Sequence, residues 1–266
     1  MPQDPRPSDF DVSLIMPAYN EQEIIGYTMR RLVSAFERAG YRLELVVVNN
    51  GSRDRTEEII REFSSMYKGV IGVRVETNQG YGNGILQGIP YCTAPWIGII
   101  PADGQVDAED AVRLYEAVVT ANRPVIGKVR RRFRMDGFRR KLISIAYNLL
   151  VILLYPQINS LDINGSPKLI PRDILDQMRL NSKGWFLDPE IMIKAHYMGV
   201  GVIELNVFAR MRGSGVSHVR METCWEFLRS LLSYRFSNQI VDWKQEINGR
   251  RVTQTNQPNL LPHVGH

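Results

Sequence analysis

Short apolar runs alternate with amphipathic stretches through the first half of the chain. Residues 12–16 form an apolar strand that Pro17 stops. Asn20, with Glu23 three residues on, has the form of a capping box and predicts a helix that runs to about Ala39 and ends at Gly40. Residues 43–48 read as a β-branched strand and residues 49–52 as a turn, with Asp54 or Ser52 capping a helix over residues 55–66. A third strand over residues 70–76 leads into the glycine-rich residues 78–84 and a short helix that reaches Pro90. A fourth strand, rich in isoleucine, starts at Trp96 and ends in the polar step Asp103-Gly104-Gln105. Strand followed by helix, repeated, is the pattern of an α/β fold, a mostly parallel central sheet with helices on both faces.

The second half continues the alternation less regularly. Residues 107–121 predict a helix and residues 124–127 a strand. Residues 142–155 carry only Ser144 and Asn148 as clearly polar side chains. As a helix they would be about 21 Å long, short of the roughly 20 apolar residues a bilayer span takes. They read as a core helix, or as a helix at a lipid surface or at the edge of an acceptor site. Residues 168–170 predict a strand and Pro171 the start of a short helix. Asp188-Pro189-Glu190 opens a helix to about Met198, with proline in the first turn, and residues 201–212 form the last strand. Leu228, Leu231, Leu232 and Phe236 fall near helical spacing, so residues 222–242 are expected as one amphipathic helix. The expected organisation is a disordered arm (1–10), one α/β domain (11–220), a C-terminal amphipathic helix (221–246) and a polar tail (247–266).

Composition narrows this picture. The 266 residues are 44% hydrophobic, enough for one large globular domain. Cys92 and Cys224 are too few for a disulfide framework or a zinc cluster, and the first residues lack the apolar core of a signal peptide. A reducing, cytoplasmic compartment is the expectation. Residues 128–141 hold eight basic side chains against Asp136, more than the whole net charge of +5, so the remainder is mildly acidic. That distribution argues against general nucleic-acid binding and for one basic patch with a specific anionic partner.

Four loops follow the first four strands and would share one rim of the sheet, where ligands of open α/β sheets bind. The backbone near Pro17 and Ala18 can frame a base. Asn49 and Asn50 both donate and accept, which suits a base edge. The glycines of residues 80–84 allow close approach to ribose or phosphate, although their spacing is wrong for a dinucleotide fingerprint. Asp103 and Gln105 offer a carboxylate and an amide oxygen to one hard cation.

In this order the motifs resemble the family 2 glycosyltransferases of GT-A fold, and among them the polyprenyl-phosphate (dolichol-phosphate-mannose-like) sugar transferases. The residues that carry the resemblance are Ile15-Met16-Pro17-Ala18-Tyr19-Asn20-Glu21, then Val47-Val48-Asn49-Asn50-Gly51-Ser52-Arg53-Asp54-Arg55-Thr56, then Asn78, Gly80 and Gly88, then Pro101-Ala102-Asp103-Gly104-Gln105. Arg139 to Ser144, Asp162-Ile163-Asn164-Gly165, Asp188-Pro189-Glu190 and the loop containing Arg212, Gly215, Ser217 and His218 follow. The resemblance implies a UDP- or GDP-sugar donor bound by Pro17, Ala18, Tyr19, Asn20, Glu21, Asn49, Asn50, Ser52, Asp54, Asn78, Gly80, Gly84, Ala102 and Asp103. It implies Mg²⁺ or Mn²⁺ on Asp103 and Gln105, with inversion by in-line displacement. Arg130, Arg140, Ser144, Arg212, Ser217 and His218 would grip the acceptor or donor phosphates. A lipid phosphate acceptor needs no strong general base. A hydroxyl acceptor needs one, from Asp188, Glu190 or Asp162.

Three motifs depart from the family pattern. Pro101 stands where the first metal-motif aspartate is usual, Asn49 and Asn50 replace two aspartates, and His218 replaces a lysine. The leading expectation is sugar transfer to a polyprenyl phosphate, with peripheral contact at the inner membrane face. Transfer to a soluble hydroxyl is the alternative among enzymes. A degenerate, non-catalytic nucleotide-sugar-binding protein is the alternative from another class.

Overall fold

The strand that begins at Val12 is apolar at nearly every position because it lies inside a sheet covered on both faces. The computed structural model describes residues 8–133, 149–151, 153–156, 158, 162–208 and 221–255. Its seven-stranded sheet comprises β1 (Val12–Ala18), β2 (Leu43–Asn50), β3 (Val70–Val75), β4 (Trp96–Ile99), β5 (Val125–Phe133), β6 (Lys168–Pro171) and β7 (Gly201–Phe208), in the order β3-β2-β1-β4-β6-β5-β7. β6 is antiparallel to both neighbours and the other pairings are parallel. The order reverses at β1, with β2 and β3 to one side and β4 to the other, which opens a crevice at the carboxyl ends of β1 and β4.

The helices are α1 (Ile25–Arg38), α2 (Thr56–Met66), α3 (Tyr81–Gly88), α4 (Ala108–Val119), α5 (Arg172–Met178), α6 (Leu187–Met198), α7 (Met221–Phe236) and α8 (Gln239–Thr255). Leu14, Met16, Leu45 and Val47 face α1, α2 and α4, with Phe36, Phe63 and Leu114. Ile15, Val46, Val48 and Ile97 face α3, α5 and α6, with Ile85, Leu175 and Ile191. Each such side chain contributes about 2–3 kcal/mol when buried. A third cluster joins Phe186, Met192 and Ile193 to Val151, Tyr155, Leu231, Tyr234 and Trp243, and seats α7 and α8 on the outer side of α6.

Four expectations are corrected. β1 does not stop at Pro17 but continues to Ala18, opposite Asn49. The Ile15 carbonyl accepts from Ile100 N–H at 2.9 Å, so Pro17, two residues on, turns its missing donor toward a β4 that has already ended. Asn20 does not cap α1: its φ is +55° and its Oδ1 accepts the Arg53 N–H at 2.8 Å. Of the two residues expected to serve the start of α2, Asp54 does so, taking the Thr56 N–H at 3.0 Å. The single C-terminal helix is two, broken between Phe236 and Gln239. Ile240, Trp243 and Ile247 give α8 its own buried stripe, so helix extends into the stretch expected as polar tail. Of the apolar helix expected over 142–155, the described residues 149–151 and 153–154 are helical.

At the opposite end of the sheet from the crevice, Glu44 is 1% exposed and fully engaged. Its carboxylate accepts Thr93 N–H at 2.6 Å, Thr93 Oγ1–H at 2.9 Å and the Ser13 hydroxyl, and Ser13 Oγ accepts Ala94 N–H at 3.0 Å. This network ties β1 and β2 to the turn before β4. Glu44→Ala strands these donors in the interior and is expected to lower stability by about 3 kcal/mol. The measurement is a shift of the urea midpoint with unchanged slope, and a midpoint within error of wild type contradicts it.

Candidate active site

The loops after β1 and β2 are joined by hydrogen bonds between backbone and side chains. Asn20 N–H donates to Ser52 Oγ at 3.0 Å, Glu21 N–H to Thr56 Oγ1 at 2.9 Å and Gln22 N–H to Asp54 Oδ2 at 3.2 Å. In return Arg53 N–H reaches Asn20 Oδ1 at 2.8 Å and Arg55 N–H reaches Gln22 Oε1 at 3.0 Å. The Thr56 N–H and hydroxyl bonds to Asp54 hold its carboxyl below the ordinary aspartate range, against a burial effect in the other direction that is the largest single influence. Asn20, Ser52 and Asp54 therefore fix one loop to the other. Tyr19 is half-buried beside them.

Asn49 and Asn50, adjacent in sequence and both buried, differ in what they leave over. Asn49 is used at both ends: Oδ1 accepts Ser52 N–H at 3.0 Å and Nδ2 donates to Glu57 Oε2 at 3.2 Å. Asn50 Nδ2 donates to Asn78 Oδ1 at 3.2 Å and to the Gly80 carbonyl at 3.0 Å. Both partners are acceptors, because Asn78 Oδ1 also takes the Gly80 N–H at 2.9 Å, so the amide orientation is determined. Asn50 Oδ1 has no partner among the described residues. It lies at the end of β2, against Gly84, where an added Cβ would stand 3.1 Å from Pro17 Cβ and 3.4 Å from Asn50 Cγ.

The other glycines of this segment serve the chain itself. Gly80 has φ +108°, and a Cβ on Gly82 would lie 2.2 Å from the Ser182 carbonyl oxygen. The backbone that fills this space is the strap between α5 and α6: Asn83 N–H donates to Lys183 O at 2.7 Å and Gly82 N–H to Gly184 O at 3.2 Å. Trp185 stacks on Tyr81, rings 4.9 Å apart and 10° from parallel.

Across the crevice, Ala102 is buried and its carbonyl accepts Thr28 Oγ1–H at 3.1 Å, which fixes the loop after β4 to α1. Asp103 Oδ1 accepts Gln105 N–H at 3.1 Å over Gly104, whose φ is +67°. Among the described residues no three His, Cys, Asp or Glu side chains cluster as metal ligands. One carboxylate with a neighbouring amide suits Mg²⁺ or Mn²⁺ only as part of a site completed by water and diphosphate oxygens.

Charged residues on β6, β5 and β7 form a row across the sheet. Lys168 on β6 pairs with Lys128 on β5, which pairs with Glu204 on β7. Both lysines are fully buried. Lys128 Nζ donates to Glu204 Oε1 at 2.9 Å and the Asp162 carbonyl at 2.5 Å, and Lys168 Nζ to Asp188 Oδ1 at 2.5 Å and the Gly165 carbonyl at 2.8 Å. Burial pushes the Lys168 ammonium below the ordinary lysine range, with Lys128 adding to the shift and Asp188 opposing it. Glu190 lies elsewhere: wholly buried, it accepts Ser182 N–H at 3.0 Å, Asn181 N–H at 3.3 Å and Lys194 Nζ at 2.6 Å. Asp188 and Glu190, two residues apart in one motif, thus face two different lysines. Arg130 is half-buried on β5 opposite Asn206. Arg140, Ser144, Arg212, Ser217 and His218 lie outside the described residues. Sequence reasoning missed Thr28, Thr56, Lys128, Lys168 and the strap. Thr56 and Lys168 had a signal, a threonine inside a quoted motif and a lysine in an apolar strand.

The profile of Glycosyl transferase family 2 matches residues 13–179. A dolichol-phosphate mannosyltransferase of Pyrococcus furiosus is 29% identical over 89% of this chain and 65% of its own length. The dolichyl-phosphate beta-glucosyltransferase ALG5A of Trichomonas vaginalis is 26% identical over 76% of this chain and 68% of its own. An undecaprenyl-phosphate 4-deoxy-4-formamido-L-arabinose transferase of Edwardsiella ictaluri is 30% identical over 52% of this chain and 43% of its own. The chain thus spans about two thirds of the first two relatives and less than half of the third. Glucosyl-3-phosphoglycerate synthase from Mycobacterium tuberculosis, solved with Mn²⁺, UDP-glucose and phosphoglyceric acid, superposes with a TM-score of 0.66 at 17% identity, over 85% of this chain and 80% of that one. The sheet with its crevice at β1 and β4 is accordingly a GT-A fold. With more than half of its residues inside the family profile and these relatives beside it, the chain belongs to glycosyl transferase family 2.

Proposed function

We propose that this protein is an inverting glycosyltransferase that moves a sugar from a UDP- or GDP-sugar to a polyprenyl phosphate. The observation that carries the donor half is the buried Asn50 Oδ1, without a partner among the described residues, on a side chain at the end of β2 that packs with Pro17 about Gly84. With its nitrogen already bonded, this amide offers only an acceptor, as the aspartate usual in the family would. Uracil and guanine both carry a ring N–H that can donate to it. Asp103 and Gln105 would hold Mg²⁺ or Mn²⁺ together with the diphosphate. When bound, the cation offsets the negative charge that grows on the leaving diphosphate. Solved relatives of the same fold contain Mn²⁺ or Mg²⁺ with UDP.

The acceptor half rests on the carboxylates and on the lipid-phosphate transferases among the relatives. Asp188 is paired with buried Lys168, and Glu190 is enclosed by Lys194 and two backbone N–H groups. Neither is poised to take a proton from a hydroxyl. An acceptor that is already anionic, such as a lipid phosphate, needs no such base, and Arg130 would help to neutralise it.

No helix among the described residues is long and apolar enough to cross a membrane. We place the protein peripherally at an anionic lipid surface, through two neighbouring helical stripes. Leu149 and Leu153 are 61% and 76% exposed, and Phe236 at the end of α7 is 75% exposed. Arg235 lies between them, its Nε 3.2 Å from the Leu154 carbonyl. Apolar side chains around an arginine suit an interface with anionic headgroups.

Three outcomes are expected. Purified protein with UDP-glucose or GDP-mannose, Mn²⁺ and undecaprenyl phosphate should yield a lipid-linked sugar on thin-layer chromatography; product with neither donor rejects the proposed reaction for those sugars, and product only with a hydroxyl acceptor rejects the lipid phosphate. In calorimetry, Mn²⁺ should tighten UDP or GDP binding at least tenfold, and Asp103→Ala should remove that gain while leaving metal-free binding in place. The double substitution Leu153→Ser with Phe236→Ser should cut co-sedimentation with phosphatidylglycerol vesicles several-fold without altering nucleotide affinity; unchanged sedimentation refutes the membrane surface.

A further inference from the structure

The rim at Asn50 is braced from behind by Glu190 and Lys194. Glu190 collects the N–H groups of Asn181 and Ser182 and the ammonium of Lys194, and Lys194 also donates to the Arg179 carbonyl at 3.1 Å. The strap is thereby held at both its beginning and its middle. The next two carbonyls, of Lys183 and Gly184, accept the Asn83 and Gly82 N–H groups. Those are first-turn donors of α3, which a helix cannot satisfy internally. The Gly80 carbonyl at the head of α3 in turn receives Asn50 Nδ2. A continuous path therefore runs from the Glu190 carboxylate through the strap and the first turn of α3 to the amide that presents its oxygen at the rim.

The outer side of the brace is closed by α8. The Trp243 ring lies 5.4 Å from Lys194 Nζ, Trp243 Nε1–H donates to the Gln177 carbonyl at 3.2 Å, and Glu246 pairs with Arg179. Arg179 itself is in the left-handed region at φ +48°. Each of these contacts bears on the two ends of Glu190's grip.

From this geometry we infer that Glu190 is a positioning residue for donor binding: it sets the strap that fixes α3 and, through α3, the orientation of Asn50. Its effect is on nucleotide affinity, and it takes no part in proton transfer. The inference rests on the proposed donor site. Its structural core, the seating of the strap on α3, is independent of any nucleotide.

The test uses the full chain with two variants. Glu190→Gln removes the charge opposite Lys194 and one acceptor. Gly82→Ala leaves Glu190 intact and puts a methyl into the strap backbone. Backbone hydrogen exchange over residues 80–84 should accelerate at least tenfold in both, with or without nucleotide. The dissociation constant for UDP or GDP, whichever the wild type binds, should rise five- to twentyfold in both. In Glu190→Gln, turnover at saturating donor should stay within threefold and its pH profile should keep its shape. Unchanged exchange over residues 80–84 overturns the inference, as does intact nucleotide affinity with turnover reduced a hundredfold and an ionisation lost from the profile. Should Glu190→Gln fail to fold, Gly82→Ala decides alone through exchange and affinity. A wild type that binds neither nucleotide defeats the proposed donor site, and the exchange measurement then decides whether the strap is seated as inferred.

Discussion

Asn50 can present an oxygen at the rim because its nitrogen is already committed to Asn78 and Gly80. Most of the candidate site depends on that prior commitment. A buried polar group left unbonded costs about 1–3 kcal/mol, so the polar residues at the strand ends must satisfy one another before any can be spared for a ligand. Asn20, Ser52, Asp54 and Asn49 are occupied in this way. The closed network turns a few loops into a stiff frame, and its one buried vacancy for a donor falls where the carboxyl ends of β1 and β2 meet. A preformed, unsatisfied acceptor loses little further freedom when a ligand N–H arrives.

The same economy of partners separates the two sides of the crevice. The rim after β1 and β2 is built from amides, hydroxyls, backbone groups and the Asp54 carboxylate. The other side is built from a row of buried charges, Lys168, Lys128 and Glu204, with Asp188 at its end. Two lysines facing each other across β5 and β6 would repel, so each is matched by its own carboxylate and by a loop carbonyl. Those carbonyls belong to Asp162 and Gly165, so the charge row also fixes the turn before β6. Asp188 through its carboxylate and Asp162 through its backbone carbonyl are thereby tied into the architecture.

The alternation of strands and helices, the rim and the loops along it were legible in the sequence because they rest on local period and on turn residues. Pro17 misled because its effect depends on which neighbour its missing N–H would have met, and β4's endpoint cannot be read from β1. The capping box at Asn20 misled because Ser52 and Arg53, more than thirty residues away, compete for the same groups. Asp188 and Glu190 read as a pair, but the partner of Asp188, Lys168, lies on β6, a contact that no local spacing carries, whereas Glu190 and Lys194 are an i, i+4 pair within α6 that helical spacing does offer. Gly80 and Gly82 signalled a close approach correctly. What approaches is the chain's own strap, a contact spanning about a hundred positions that local pattern does not carry.

That long contact bears on how the protein is made. The first four strands and the glycine-rich segment leave the ribosome well before residues 180–185 do. Until then the first turn of α3 has water in place of the carbonyls of Lys183 and Gly184, and Asn50 has an unfixed partner in Gly80. The rim around Asn50 is therefore among the last features to be completed, although nearly all its lining is translated early. A fragment ending at Arg179, where the family profile stops, would retain the rim's motifs but lose the backbone that sets them.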